Sequence, residues 1–372
     1  MSLVLYRKYR PQSFAEMVGQ EHIVQTVTNA VSKEMTSHAY LFSGPRGTGK
    51  TTLARLLAKA VNCQNRKKGE FEPCNQCSSC TEIVGSRAMD LIEIDAASHR
   101  GIDDIRELRD GIKFSPSKSK YKVFILDEAH QLSKDAANAL LKILEEPPAH
   151  AIFILATTEI HKMIPTIISR CQRFDFRKLT LSEITQRLGT VSKKEKVKIE
   201  KPALELIALN SEGSIRDGES LLNQVFTFYG APEKEIKAQD IKDLLGLVEI
   251  KLVSDFTDFL ANKKSFGAIN YLNEISEKGL DLFEFSKVLI NYLRQGLILK
   301  IMGEGENPGL SEGFLTGLTN EEIKVLKKHI DNFEEQDLRK ILNTFLEAQN
   351  KMKYSSIPQL PLELAIIEIT ES

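Results

Sequence analysis

The sequence predicts an α/β domain built on a parallel sheet, then a small helical domain, then an all-α C-terminal domain. Three observations carry this. Four continuous apolar runs of strand length, in "HAYLFS", "DLIEID", "YKVFILDE" and "AIFILATT", alternate with helical stretches such as "SKDAANALLKILEE". Unbroken apolar strands between helices indicate a parallel sheet covered on both faces. After Phe176 no strand-like run follows, and from about Asp243 onward the pattern is helical throughout. The expected boundaries are 1–178, 179–243 and 244–372.

Composition fits a protein with more than one core. The chain has 372 residues, 42% hydrophobic and 27% charged, with a net charge of −1; two or three domains are expected. At that balance any nucleic-acid contact must come from a local basic face. No apolar run approaches the ~18 residues that span a bilayer. "MSLVLYRKYRPQSF" holds too short an apolar stretch for a signal peptide. A cytoplasmic protein without membrane contact is expected, in a compartment where disulfides are disfavoured.

The elements follow in order. Tyr6, Arg7, Lys8, Tyr9 and Arg10 form an arm, and "EHIVQTVTNAVSK" has helical spacing. "YLF" is a strand, "SGPRGTGKTT" a Gly-rich loop and "TLARLLAKA" an amphipathic helix. "GIDDIRELRDGI" reads as a helix after the second strand. "LTLSEITQRLGTV" opens on Thr180-x-x-Glu183, a capping box. "KPALELIALNSEGSIRDGESLLNQVFTF" supplies two more helices. "KLVSDFTDFLANK", "FGAINYLNEISEKG", "FEFSKVLINYLRQGLILKIM" and "EEQDLRKILNTFLEAQNKM" build the last domain. No internal repeat is evident.

Chemistry concentrates in four places. Gly44 to Thr51, "GPRGTGKT", fits the phosphate-loop pattern G-x-x-x-x-G-K-[ST] without mismatch. Glycines let the backbone N–H groups turn toward phosphate oxygens, and the following helix presents its positive end. Gly44, Pro45, Arg46, Gly47, Thr48, Gly49, Lys50, Thr51 and Thr52 form this cradle, with Lys50 reaching the β- and γ-phosphates and Thr51 a ligand of Mg²⁺. Asp127 ends the strand "VFILD" and is placed to hold Mg²⁺, directly or through water; Glu128 can polarise an attacking water. Alone, the pair would read equally as two solvated acids. The letters DEAH also suggest a helicase, but a helicase needs a second α/β motor domain where this chain is helical.

Thr157 and Thr158 end the strand "FILATT", where a hydroxyl can sense a γ-phosphate or its water. Beyond them, Ser169-Arg170-Cys171 could present Arg170 to a neighbour's nucleotide as an arginine finger; a surface salt bridge is the competing reading. Arg216, at a helix start in "GSIRDGES", is a second candidate phosphate contact or a plain surface arginine. Finally, four of five cysteines fall within residues 63–80. Cys63-x10-Cys74-x2-Cys77-x2-Cys80 offers the four thiolates of a closed tetrahedral Zn²⁺ site, structural and not catalytic, with four free or disulfide-bonded thiols as the competing reading. Cys171 is expected in packing.

Together these residues resemble the gamma/tau subunits of bacterial replicative clamp loaders, AAA+ ATPases, over nearly the whole chain and most strongly over 4–220. "LYRKYRPQSFAEMVGQEHIV", "SGPRGTGKTT", the four cysteines, "LDEAHQLSKDAANALLKILEEPP", "ATTEIHKMIPTIISRCQRF" and "GSIRDGESLLNQ" carry the likeness. The resemblance implies an α/β AAA+ P-loop NTPase domain with a parallel sheet, a small helical lid domain and an all-α collar domain that joins five subunits. It implies ATP as the nucleotide, Arg10, Pro11, Val18 and Gly19 around the adenine, Thr157 as sensor 1, Arg170 acting in trans and Arg216 as sensor 2. "IDAASHRGIDDIREL" also matches, implying that Ser98, Arg100 and Gly101 face template-strand phosphates; an ordinary solvated helix start competes there. The implied partners are primed DNA, the sliding clamp, delta- and delta-prime-type subunits in a pentameric ring, and the polymerase core. Longer members continue past the collar with polymerase and helicase segments, and residue 372 falls about where the collar should end. Other AAA+ remodellers lack the cysteine insert. A non-hydrolysing structural subunit would lack Lys50, Thr51, Asp127 or Glu128.

Overall fold

Five parallel strands carry the nucleotide-loop half of the chain: β1 (Ala39–Ser43), β2 (Leu91–Asp95), β3 (Lys122–Asp127), β4 (Ala151–Thr157) and β5 (Gln172–Asp175), in the order β2-β3-β4-β1-β5. The computed structural model describes residues 4–98, 111–112, 114–230, 235–246, 248–302 and 320–371. These fall into two compact units, Met1–Ile241 and Lys242–Ser372.

Within the first unit, alternation along β1 sends Tyr40 and Phe42 to one face of the sheet and Ala39 and Leu41 to the other. The first face packs on helices Glu21–Ser32 and Lys50–Val61 through Ile23, Val27, Leu53 and Leu57. The second packs on the helix Lys134–Glu145 through Leu140, Ile143 and Leu144. Both faces are thus covered, as unbroken apolar strands require. Register places Ser43 beside Thr157 and beside Asp175, and Asp95 beside Asp127. The chemistry-bearing residues therefore gather along one edge, the carboxyl ends of the strands, where open α/β sheets bind ligands.

β5 was not among the strands read from sequence. Only Phe174 in it is apolar and partly buried, so it offers no continuous run. Its effect is large nonetheless. The Phe176 N–H donates to Ser43 O at 2.7 Å, and a Cβ on Gly44 would stand 2.3 Å from the Phe176 carbonyl oxygen. Gly44, at φ 138°, is glycine because β5 runs this close.

Beyond β5 the chain is tied back by Gln20, a fully buried side chain on a residue with φ 62°. Its Nε2 donates to Arg177 O (2.7 Å) and its Oε1 accepts from Arg177 N (3.1 Å). Among the described residues the helices Leu181–Lys194, Lys201–Asn210, Ile215–Tyr229 and Ala238–Leu245 follow. The first begins with the expected capping box: Thr180 accepts from the Glu183 N–H, and Glu183 accepts from the Thr180 N–H.

The second unit is helical, with Ile250–Ala261, Ser265–Glu277, Leu282–Met302, Asn320–Asp331, Glu335–Met352 and Leu360–Thr370 among its described residues. Its core includes Phe256, Phe285, Leu289, Phe345 and Ile366. Helix Leu360–Thr370 is apolar on nearly every side, which leaves no 3.6-residue period to read from sequence. No described helix is long and apolar enough to cross a membrane.

Candidate active site

The phosphate loop leaves β1 and closes into helix Lys50–Val61 through three glycines in the positive-φ region, Gly44, Gly47 (75°) and Gly49 (105°). Side chains would crowd the concavity, most severely at Gly47. A Cβ on Gly47 would lie 1.9 Å from Ser214 Oγ, and one on Gly49 would lie 3.0 Å from Met17 Cε. Thr48 Oγ1 braces the turn by donating to Pro45 O at 2.8 Å. The loop thus has the backbone geometry a phosphate chain needs at a helix N-terminus.

Lys50 is buried, and its Nζ donates to Gly44 O (2.7 Å) and Pro45 O (2.8 Å). Burial pushes its ammonium pKa down, while Glu128 and Asp127 push it up. A buried cation on two neutral carbonyls is poised to exchange them for phosphate oxygens, which are stronger acceptors. Thr51 Oγ1 donates to Asp127 Oδ2 at 2.9 Å. A hydroxyl and a carboxylate are hard oxygen donors of the kind Mg²⁺ takes, so these residues fit that ion.

Glu128 follows at φ 47°, with its N–H on Asp127 Oδ1 at 3.0 Å. Its carboxylate accepts from Thr158 Oγ1 (2.8 Å) and Thr158 N (3.3 Å). The two threonines therefore differ. Thr158 touches Glu128. Thr157 is fully buried, its Oγ1 2.9 Å from His130 Nδ1 and accepting from the Glu159 N–H at 3.0 Å. Neither lines the cleft.

The cleft is lined by Arg10, Pro11, Val18, Arg46, Gly47, Thr48, Gly49, Lys50, Thr51, Thr52, Asp127, Glu128 and Arg216 from the expected set. Gly44 and Pro45 do not line it, their carbonyls turned to Lys50 Nζ, and Gly19, at φ 64°, packs against Leu179 instead. Burial lowers the Arg10 pKa, and the nearby Arg55 adds to this. Arg216 sits over the Tyr6 ring, 5.0 Å from its centroid. The Ile215 N–H donates to Gly47 O at 3.2 Å, which brings the start of helix Ile215–Tyr229 onto the loop.

Five lining residues escaped the sequence reading as site residues: Tyr6, Met17, Arg187, Ile215 and Glu219. Arg187 Nε meets Glu219 Oε1 at 3.0 Å, both side chains nearly buried, and Arg187 Nη2 also holds Tyr9 O. Burial pushes the Glu219 carboxyl up, against the pull of Arg187. The pair spans two helices, Leu181–Lys194 and Ile215–Tyr229, so no short motif signals it; the one available signal was an Arg and a Glu placed on apolar helix faces.

Arg170 lies away from its own chain's cleft. Its guanidinium donates to Thr166 O (2.8 Å) and Glu145 Oε1 (2.7 Å). Ser98 follows β2, and its Oγ donates to Asp95 Oδ2 at 3.1 Å. Arg100, Gly101 and nearly all of "GIDDIRELRDGI" lie outside the described residues.

The cysteines converge. Cys63, Cys74, Cys77 and Cys80 form no disulfide, and their sulfurs all lie within 4.8 Å of one another. A tetrahedron with Zn–S near 2.3 Å has edges of roughly 3.8 Å, so the set needs only slight contraction to fit. Backbone N–H groups of Cys77 (3.3 Å) and Gln76 (3.5 Å) point at Cys74 Sγ. The Gln76 N–H, with that of Cys77, draws the Cys74 pKa down to about 6, while burial pushes Cys63 and Cys80 up. A thiolate fed by backbone donors and three more sulfurs is a donor set suited to Zn²⁺. Cys171 is partly buried and its thiol is pushed up to about 12 by burial, which makes it inert.

Residues 19–180 match the family described as DNA polymerase III, delta subunit. Residues 183–230 match the DNA polymerase III clamp loader subunit, ATPase lid domain, and 236–372 match DNA polymerase III subunits gamma and tau domain III. DNA polymerase III subunit gamma of Buchnera aphidicola is 36% identical over 366 residues, 98% of each chain. DNA polymerase III subunit tau of Bacillus subtilis is 42% identical over 371 residues, 99% of this chain and 63% of that one. The tau subunit of Escherichia coli is 39% identical over 298 residues, 80% of this chain and 45% of that one. The chain thus spans about half to two thirds of the longer tau-type relatives.

Proposed function

Because the chain belongs to the gamma/tau family of DNA polymerase III clamp-loader subunits, we propose that it is an ATP-hydrolysing motor that opens a sliding clamp and loads it onto primed DNA. The observation that carries this reading is the continuous set Lys50, Thr51, Asp127 and Glu128 beneath a glycine loop that side chains would crowd. All four groups are intact, which favours a hydrolysing subunit over a structural one.

In this reading Arg10, Pro11 and Val18 form the base side of the site, with Met17 and Tyr6 beside them and Gly19 supporting the turn from behind. The loop N–H groups and Lys50 hold the phosphates, and Thr51 and Asp127 hold Mg²⁺, which neutralises charge on the β- and γ-oxygens when bound. Glu128 orients the attacking water once Thr158 yields it. Thr157 acts from behind, setting His130 and the turn at Glu159. Arg216 and the N-terminus of helix Ile215–Tyr229 report the phosphates to the lid. Arg170, facing away from its own cleft, completes a neighbour's site. Zn²⁺ is held by Cys63, Cys74, Cys77 and Cys80.

The proposed domains are 1–178, 179–243 and 244–372, the last a collar joining five subunits with delta- and delta-prime-type partners. Ser98, Arg100 and Gly101 are proposed to face DNA phosphates, the polymerase core is a proposed partner, and the compartment proposed is the cytoplasm. The test is ATP turnover by the purified chain with and without sliding clamp, primed DNA and the partner subunits. Marked stimulation by the full set is expected; the same rate in all mixtures would overturn the reading.

A further inference from the structure

The cysteine insert is not set apart from the cleft. Residues Arg10, Pro11, Met17 and Val18 wall the cleft, and between them lies the 3₁₀ turn Phe14–Glu16. Glu72, two residues before Cys74, accepts from the Phe14 N–H through Oε2 (3.0 Å) and from the Ala15 N–H through Oε1 (2.9 Å). Beside it, the Phe71 ring meets the buried Phe14 ring edge-on, with centroids 6.3 Å apart. The same segment is held from below. Lys59, buried on the phosphate-loop helix, donates to Gln12 O (2.8 Å) and Gln12 Oε1 (2.9 Å). The insert is itself tied down by Arg66, which reaches Ala60 O at 2.9 Å and Glu70 O at 2.6 Å.

We propose that the metal-stapled insert is a buttress for the base side of the nucleotide site, with Glu72 as its positioning residue. The metal fixes the loop, the loop fixes Glu72, and Glu72 fixes the turn that sets Arg10, Pro11, Met17 and Val18. One carboxylate with both oxygens on consecutive backbone N–H groups locks that turn in a way a single bond would not. Without it the segment must be ordered at the expense of binding energy each time nucleotide enters. The phosphate loop, held by its own glycines and by β5, stays as it is. Loss of the buttress therefore weakens nucleotide affinity through the base and leaves the chemical step alone.

This rests on the nucleotide reading above, and the experiment separates the two. ATP binding, ATP KM and kcat are measured for the wild-type chain, Glu72→Ala, Glu72→Gln and, as a control on the same loop, Glu70→Gln. Inorganic tripolyphosphate serves as a competitor that carries the phosphates without the base. Removing charge-assisted bonds to two N–H groups is expected to raise the ATP Kd and KM roughly ten-fold in Glu72→Ala. Glu72→Gln, which keeps one acceptor oxygen, falls between it and wild type. In both, kcat at saturating ATP, zinc content and tripolyphosphate affinity remain at wild-type values, as does everything in Glu70→Gln. Unchanged ATP affinity in Glu72→Ala, or an equal loss for ATP and tripolyphosphate, overturns the proposal. If Glu72→Ala fails to fold, Glu72→Gln and Phe71→Ala read the same split, and wild-type affinity in both overturns it. Failure of the wild-type chain to bind ATP would instead remove the nucleotide reading beneath it.

Discussion

Replacing Gly47 by alanine should damage nucleotide binding far more than a single methyl group suggests. Gly47 has φ 75°, a conformation that adds about 1–2 kcal/mol for a residue with a Cβ. The new Cβ would also stand 1.9 Å from Ser214 Oγ and 2.9 Å from Ser214 Cβ. Rotating the hydroxyl away relieves only the first contact, so the start of helix Ile215–Tyr229 must retreat. Ser214 caps that helix by accepting from the Asp217 N–H, and Ile215 N donates to Gly47 O. Loss of a cap adds about 1 kcal/mol. With the backbone strain this approaches ~3 kcal/mol, roughly a hundred-fold in affinity if it falls on the nucleotide-bound form. The assay is titration of a fluorescent ATP analogue, with thermal unfolding followed in parallel. Gly69→Ala is the comparison: Gly69 has φ 88° but nothing within 4 Å of its Cβ position, so it should bind as wild type. Gly47→Ala binding within two-fold of wild type, with an unchanged melting temperature, would refute the argument from loop geometry.

Arg170→Ala should leave ATP affinity intact, because its guanidinium bonds to Thr166 and Glu145 and not to the chain's own cleft. DNA- and clamp-stimulated hydrolysis should fall by roughly 10³-fold or more; full stimulated turnover in the reconstituted complex would reject the trans role. Elemental analysis of the purified chain should find about one zinc per chain, and Cys80→Ser should lose it; a folded, metal-free wild-type protein would retire the metal assignment. Arg177, with Thr180, holds the Glu183 carboxyl down to about 2. A depressed carboxylate stabilises the fold above its ordinary pKa, so its contribution is complete at pH 7 and is lost as pH falls from about 4.5 toward 2. Arg177 is solvent-exposed, so Glu183→Gln should destabilise by only about 1 kcal/mol at neutral pH. Thermal unfolding should show the gap between the two proteins closing in acid; a gap independent of pH would reject the ion pair as its source.

What could be read from the sequence was what adjacent residues enforce on one another. Strands β1, β3 and β4 are continuous apolar runs, the phosphate loop needs glycines at fixed offsets, and C-x-x-C steps bring thiolates together within a few residues. What could not be read depends on distant partners. β5 is a strand because it completes an edge beside β1, not because of its own composition. Glu72, Arg187 and Glu219 earn their places through contacts with Phe14, with Tyr9 and with each other, none near in sequence. Thr157 and Thr158 look interchangeable as letters. The twofold alternation of a strand end sends one hydroxyl to His130 and the other to Glu128.

Position 20 restricts the chemical alphabet unusually tightly. The Arg177 backbone needs an acceptor for its N–H and a donor for its carbonyl, and both must come from one planar group. Only a primary amide offers these side by side at neutral pH, and asparagine is one methylene too short. A glutamate there would match in its protonated form and repel the Arg177 carbonyl once ionised. The junction between sheet and lid would then hold in acid and loosen at neutrality, whereas the glutamine keeps it indifferent to pH.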